Sequence, residues 1–193
     1  MTGGHAAWLA GTVRGAEDPD RADALAAATD RAAFATLYRR YLDRVYAYCF
    51  YLLGDHHDAE DATERTFLAA LAAMSRFTPH AGGTFRSWLF RIAHNQIANA
   101  LRSRRRRVVT TIDSVPELVD DADPAGLLGL AEDTRRLRRA LEALPDDRRQ
   151  VIVLRFVDGL SAREIGSVLG RSEGAVRVLQ HRALRQLAGL LEG

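Results

Sequence analysis

The sequence predicts an all-α protein of two small helical domains joined by a flexible acidic linker. Apolar residues recur at helical spacing over long stretches, and no alternation long enough for a strand interrupts them. The charge falls into three blocks: residues 1–107 hold 15 Arg and 11 acids, residues 108–134 hold seven acids and no Arg, and residues 135–193 hold 12 Arg and seven acids. The middle block has two prolines and no sustained period, which is typical of a linker.

The first basic block contains an Ala- and Gly-rich extension at 1–29, with at most a weak helix near its end, and then three predicted helices. Apolar periodicity predicts the first helix over 31–53 and the second over 56–74. Pro and paired Gly predict a loop at 75–84. The third helix follows this loop and ends in an arginine run at 102–107.

Residues that commonly cap or end helices stand at the ends of these predicted helices. Gly54 is placed to end the first helix, while Asp55 and Thr84 are placed to cap the second and the third. Trp88 lies on the apolar stripe of the third helix, so we expect it in the core. Cys49 also lies on an apolar face, so we expect a buried thiol, and a single cysteine suits a reducing cytoplasm.

The second basic block ends in a helix-turn-helix pattern at 160–187. Ser161 and Glu164 form a predicted capping box, and Gly170 is placed to stop the first helix of the pair. Ser172 can cap the second helix, which has apolar residues on one side and Glu, Arg and His on the other. The pattern is typical of a DNA-binding motif, although a solvated helical hairpin shares it.

The composition narrows the function classes. A hydrophobic fraction of 47% predicts a globular chain, and we expect neither a secretory signal nor a membrane span. Two basic blocks around an acidic one indicate nucleic acid as the partner of the basic blocks. The third helix adds His94, Asn95 and Asn99, which suit base edges, and the loop before it adds Phe77 and Phe85, which suit stacking on unpaired bases.

A helical metal-dependent phosphohydrolase is an alternative, suggested by His56, His57 and Asp58. Only His80 and His94 remain as further histidine ligands for such a metal, and the three residues are more simply the polar start of a helix. The sequence has no Gly-rich phosphate loop, no nucleophile elbow and no cysteine pair for zinc. We therefore expect no catalytic residue, no metal and no cofactor.

Four stretches carry a more specific signal: 34-FATLYRRYLDRVYAYCFYLLGD-55, 58-DAEDATERTFLAAL-71, 85-FRSWLFRIAHNQIANALRSRRR-106 and 141-LEALPDDRRQVIVLRFVDGLSAREIGSVLGRSEGAVRVLQHRALRQL-187. Taken in this order, they resemble the extracytoplasmic-function (ECF) group of bacterial RNA polymerase sigma factors. The four stretches cover just over half of the chain. It departs from the family at Glu64-Arg65, where Gln-Glu is usual, and at 178-VLQ-180, where Ser-Arg-Leu is frequent.

The resemblance implies a non-enzymatic, cytoplasmic transcription initiation factor. It implies sigma domain two at 30–107 and sigma domain four at 135–193, with the linker at 108–134. The implied partners are core RNA polymerase (the clamp helices of its largest subunit, and its flap), promoter DNA and, as in many relatives, an anti-sigma factor. The implied core-polymerase contacts are Asp58, Glu60, Asp61, Glu64 and Arg65. The implied contacts to the −10 element are Arg76, Phe85, Arg86, Arg91, His94, Asn95, Asn99 and Arg102. The implied contacts to the −35 element are Arg163, Arg171, Ser172, Glu173, Arg177, His181 and Arg182.

The linker length fits this reading. A relaxed coil of 27 residues spans ~30 Å and a stretched one ~90 Å, whereas recognition elements two DNA turns apart need on the order of 70 Å. The main alternative is a stand-alone regulator that binds an operator as a dimer. That alternative explains 160–187 but not the charge segregation or the order of the N-terminal stretches.

Overall fold

The computed structural model describes residues 18–78, 83–110 and 136–192, and every regular element in these ranges is helical. In chain order the helices are α1 (Arg21–Ala26), α2 (Arg31–Leu53), α3 (His56–Ala73), α4 (Phe85–Thr110), α5 (136–142), α6 (Asp146–Phe156), α7 (Ala162–Leu169) and α8 (Glu173–Glu192), with a 3-10 turn at Met74–Arg76. We call residues 18–110 the N-terminal domain and residues 136–192 the C-terminal domain. The predicted linker and the N-terminal 17 residues lie outside the described ranges.

The predicted helix ends are confirmed by short-range hydrogen bonds. Asp55 accepts a bond from the Asp58 backbone N–H at 2.8 Å, and the Ser87 N–H donates to Thr84 Oγ1 at 3.1 Å. Gly54 ends α2 in the left-handed conformation, with φ of 73°. These caps depend on neighbours within three residues, which is why the sequence reveals them.

The N-terminal domain packs α2, α3 and α4 around a mainly apolar core, with α1 added along α2. The buried Asp20 accepts hydrogen bonds from the Tyr41 hydroxyl and from Arg40, and it joins the start of α1 to the middle of α2. Ala24 of α1 is fully buried in the same core. The predicted extension at 1–29 therefore ends in a helix that belongs to this domain. The largest buried side chains here are Leu37, Tyr41, Tyr48, Met74, Phe85, Leu89, Phe90 and Ile97.

The C-terminal domain has two packing faces. A small cluster of Ala140, Leu141, Leu144, Ile152, Ala183 and Leu187 holds α5, α6 and α8 together. The opposite faces of α6 and α7 join the core of the N-terminal domain through Val151, Val153, Leu154, Leu160, Ile165 and Val168. The two basic domains therefore pack against each other, mainly through α4 with α7 and α2 with α6, rather than standing apart.

Candidate nucleic-acid and polymerase interfaces

The helix-turn-helix forms as the sequence predicts. The Ser161 side chain accepts a bond from the Glu164 N–H at 3.2 Å, and Glu164 Oε2 accepts one from the Ser161 N–H at 2.8 Å, which completes the capping box. Gly170 ends α7 with φ of 65°. A Cβ on Gly166 would lie 2.6 Å from the Arg171 carbonyl oxygen, so a glycine at 166 permits this tight turn. Ser172 caps α8 by accepting a bond from the Ala175 N–H at 3.2 Å.

The predicted −35 residues lie on the outside of this motif. Val176, Ala183 and Leu187 of α8 are buried, so the opposite side of the helix faces solvent. Glu173 and Arg177 form an ion pair at 2.6 Å along that exposed side. The exposed side chains include all seven predicted contacts, namely Arg163, Arg171, Ser172, Glu173, Arg177, His181 and Arg182. A polar helix face of this kind suits the DNA major groove.

The predicted −10 residues of α4 divide between exposed and engaged side chains. Exposed positions recur at helical spacing and form one polar face, made of Arg91, Asn95, Asn99 and Arg102. Arg102 donates a hydrogen bond to Asn99 at 2.5 Å. Arg76 is exposed on the 3-10 turn that follows α3. His94 is half-buried next to the Tyr48 hydroxyl, with Nδ1 at 3.3 Å, and burial lowers its pKa below the usual histidine value.

The prediction that Phe85 stacks on an unpaired base is wrong for this structure. Phe85 is 1% exposed, and its ring makes edge-to-face contacts with Tyr41 and Phe77 at centroid distances of 5.6 and 5.8 Å. Trp88, which we expected in the core, is half-buried and lies against the same cluster, 5.1 Å from Phe77. Trp88 and Phe77 are therefore the partly accessible aromatic side chains near the −10 face.

The five predicted polymerase contacts on α3 lie on two sides of the helix. Asp58, Asp61 and Arg65 line a polar cleft between α3 and α4, where Arg65 pairs with Asp61 at 3.0 Å. Glu60 and Glu64 lie on the other side, facing α2. An arginine at 65 therefore has an acidic partner within its own helix.

An apolar groove between α2 and α3 is a feature that the charge pattern did not reveal. It has a volume of about 630 Å³ and carries acidic residues Asp43, Glu60 and Glu64 among its lining. Leu68 is 58% exposed and Leu71 is 48% exposed. The remaining apolar and aromatic lining consists of Phe34, Tyr38, Leu42, Tyr46 and Phe67. Exposed leucines grouped around a concave surface are typical of a protein-binding site.

Two further observations concern a metal site and a membrane span. Among the described residues, no group of three His, Cys, Asp or Glu is placed to hold a metal ion. In the same ranges, no helix is both long enough and apolar enough to cross a bilayer.

Comparison with known families decides between the alternatives. Residues 37–107 match the model of Sigma-70 region 2, and residues 134–187 match that of Sigma-70, region 4. The chain belongs to the ECF RNA polymerase sigma factors. It is therefore a non-catalytic factor that directs RNA polymerase to promoters and to transcription initiation.

Similar proteins agree with this family. The chain is 38% identical to the ECF sigma factor BldN of Streptomyces coelicolor over 82% of its own length and 60% of BldN. It is 34% identical to SigE of Mycolicibacterium smegmatis over 93% of its length and 70% of SigE. The structure of CnrH in complex with the cytosolic domain of CnrY is similar with a TM-score of 0.67 and 30% identity, covering 90% of this chain and 97% of CnrH. RpoE of Bartonella quintana, solved with the anti-sigma factor NepR, gives 0.69 and 25%, covering 82% and 96%.

In this sigma factor the two domains are joined by ion pairs that the sequence did not predict. Arg86, a predicted −10 contact, donates from Nη2 to both carboxylate oxygens of Glu164 at 2.8 Å. Thr84 Oγ1 donates to the same carboxylate at 2.8 Å. Burial alone would raise the pKa of Glu164, but the bonds from Arg86, Ser161 and Thr84 hold that pKa below its usual value. Glu164 thus serves the helix cap and the domain contact together.

A second contact lies at the turn between α6 and α7. The guanidinium groups of Arg44 and Arg86 both donate to the backbone carbonyl of Asp158. The Asp158 side chain is 0% exposed, with Arg44 Nε 3.5 Å from Oδ1, and neither carboxylate oxygen has a hydrogen-bond partner in the described part of the chain. Burial raises the pKa of Asp158 to about 7, although Arg44 and Arg86 partly oppose the shift.

Proposed function

We propose that the N-terminal domain docks on core RNA polymerase through the groove between α2 and α3. The exposed Leu68 and Leu71 supply apolar area, and Glu60 and Glu64 supply charge for a basic, amphipathic partner helix. The family resemblance assigns this partner to the clamp helices of the largest subunit. The other side of α3 carries Asp58, Asp61 and Arg65. These residues would either contact the edge of the same partner or serve only the packing of α3 on α4.

We further propose that the exposed face of α4 binds the −10 element. Asn95 and Asn99 can hydrogen-bond base edges, while Arg91 and Arg102 can pair with phosphates on either side. Trp88 takes the stacking role that we first gave to Phe85, because it is the partly exposed member of the aromatic cluster.

The C-terminal domain would read the −35 element through α8. This proposal is carried by one observation, the capped helix-turn-helix whose apolar face is buried and whose seven predicted contact residues are all exposed. Duplex elements about two turns apart lie on the order of 70 Å from each other, so the two domains must separate before both elements are bound. Because these steps take place on polymerase and chromosomal DNA, we assign the protein to the cytoplasm.

The direct test is transcription by core polymerase with and without the purified protein. Genomic DNA fragments serve as templates, and run-off transcripts are sequenced. We expect new, discrete start sites that share paired upstream motifs. Tight binding to duplex DNA with no polymerase-dependent start sites would instead support an operator-binding regulator.

A protein inhibitor is a further proposed partner. Support comes from CnrH and RpoE, which were solved in complexes with the cytosolic domain of CnrY and with the anti-sigma factor NepR. An inhibitor of this sigma factor would hold the two domains together or cover the α2–α3 groove. Either action would lower run-off transcription. Excess core polymerase would restore transcription only if the inhibitor and the polymerase compete for the groove.

A further inference from the structure

We propose that Arg44 of α2 forms a phosphate-binding pair with Arg86 of α4, and that the C-terminal domain covers this pair with the Glu164 carboxylate and the Asp158 backbone carbonyl as internal substitutes for DNA phosphate oxygens. The proposal rests on the promoter-binding role of the N-terminal domain, and it adds a residue, Arg44, that the family motifs do not assign to DNA.

The first support is convergence. Arg44 and Arg86 belong to different helices, yet both donate to one oxygen atom, the Asp158 carbonyl, with Arg86 Nη1 at 3.5 Å. Two guanidinium groups that meet at a single acceptor also suit a phosphodiester, whose two free oxygens accept forked N–H donors. The site is thus built from helices within a single packed domain and does not depend on a loop.

The second support is the source of the neutralising charge. A third arginine nearby, Arg40, pairs with Asp20 and Asp23, both in the N-terminal domain. Arg44 and Arg86 instead have acidic partners only from the C-terminal domain among the described residues. When the domains separate, Arg40 keeps its carboxylates, whereas the other two arginines lose theirs.

Arg86 lies in the first turn of α4, nine residues before Asn95, and so about 180° from that residue around the helix axis. The Arg44–Arg86 pair therefore lies apart from the polar face of α4, and it would bind a different phosphate from those that Arg91 and Arg102 contact.

The C-terminal domain would therefore compete with DNA phosphate for Arg44 and Arg86. Glu164 accepts both Arg86 bonds and a Thr84 bond, and Asp158 accepts from both arginines, so a phosphate can enter only after the C-terminal domain leaves. Free protein should bind single-stranded DNA weakly because only its open fraction has a vacant site.

The test uses the full chain, without polymerase, and a fluorescently labelled single-stranded oligo-dT, with anisotropy measured over a salt series. Glu164→Gln keeps a residue that can complete the capping box but removes the charge that Arg86 pairs with. We expect it to bind about tenfold more tightly than the parent protein, with a larger radius of gyration by X-ray scattering than the ~16 Å of a compact chain of this length. Asp146→Asn is the matched control, since Asp146 pairs only with Arg149 of its own helix in the described structure.

The role of Arg44 is then tested in the Glu164→Gln background. Arg44→Gln should weaken binding and reduce the slope of log K against log salt by about 0.7, the loss of one phosphate contact, while Arg44→Lys should retain most of the slope. Arg39→Gln, an equal charge loss at an exposed position of the same helix, should leave the slope nearly unchanged.

Equal slopes for Arg44→Gln and Arg39→Gln would overturn the phosphate contact. A Glu164→Gln protein that keeps the parent's radius of gyration and affinity would overturn the covering role. Circular dichroism and thermal melting confirm that each variant is folded. Because run-off transcription by core polymerase tests promoter function separately, a failure here with normal run-off transcription would refute this inference alone.

Discussion

Raising the pH from 5.5 to 7.5 is expected to loosen the packing of the C-terminal domain on the N-terminal domain through the carboxyl group of Asp158. In the packed state burial raises the pKa of this group from 3.8 to about 7. After separation the carboxyl group returns to water and to its ordinary pKa. The packed state therefore holds a proton that the open state releases. The contribution of this group to packing is full below about pH 4 and is lost as the pH rises through about 7.

The size of the effect follows from these two pKa values. Between pH 5.5 and 7.5 the linkage relation gives about 2 kcal/mol, or about a 25-fold increase in the opening equilibrium constant. The groups that face the Asp158 carboxyl group are Arg44, Tyr48 and Cys49 from α2 and Arg86 from α4. Burial raises the pKa of Tyr48 well above its usual value and that of Cys49 to about 12, so neither of them titrates in this window.

X-ray scattering of the free protein across this pH range measures the opening as an increase in radius of gyration. Asp158→Asn places a neutral amide of the same shape at this position, and we expect it to stay compact at both pH values. The Asn variant separates the effect of Asp158 from that of the other titratable groups. The reasoning is refuted if the variant opens with the same pH profile as the parent protein.

Three further predictions concern separate parts of the structure. Gly166→Ala should lower the stability of the C-terminal domain by about 1–3 kcal/mol in thermal denaturation, because its Cβ meets the Arg171 carbonyl oxygen, whereas Gly174→Ala, with open space around it, should not. Leu68→Asp should weaken binding to core polymerase by about tenfold, whereas Leu25→Asp, 48% exposed on α1 and outside the groove, should leave that affinity unchanged. Arg177→Ala should weaken recognition of the −35 element by about 1–3 kcal/mol, and so lower run-off transcription from a promoter that retains this element. The same variant should have no effect on a template without a −35 element.

Local chemistry accounts for what the sequence predicts correctly. The capping box at Ser161 and the cap at Asp55 use partners three residues away, and the helix-turn-helix follows from the spacing of a few apolar residues. The burial of Phe85 was missed because its ring partners, Tyr41 and Phe77, come from other elements. A charge or aromatic pattern on one helix contains no information about such neighbours.

The domain contact was missed for the same reason at longer range. Arg86 and Glu164 are 78 residues apart in the sequence, and Arg44 and Asp158 are 114 apart. The sequence suggests a DNA role for Arg86 and a capping role for Glu164. The capping role is confirmed, and the DNA role of Arg86 stays a prediction. The sequence does not reveal that these two side chains form an ion pair with each other in the protein without its partners.

The position of the groove indicates the order in which the sigma factor engages its partners. On α2, Leu42 of the groove and Arg44 of the domain contact are two residues apart, and so lie about 200° apart around the helix axis. At the docking site that we propose, core polymerase would therefore bind while the C-terminal domain still covers Arg44 and Arg86. Glu164→Gln should then leave the affinity for core polymerase unchanged in a direct binding titration, although it raises the affinity of the free protein for single-stranded DNA. A parallel rise in both affinities would mean that opening must precede docking. With unchanged core affinity, the separation of the domains belongs to the promoter-binding step, where DNA phosphates replace the Glu164 carboxylate and the Asp158 carbonyl.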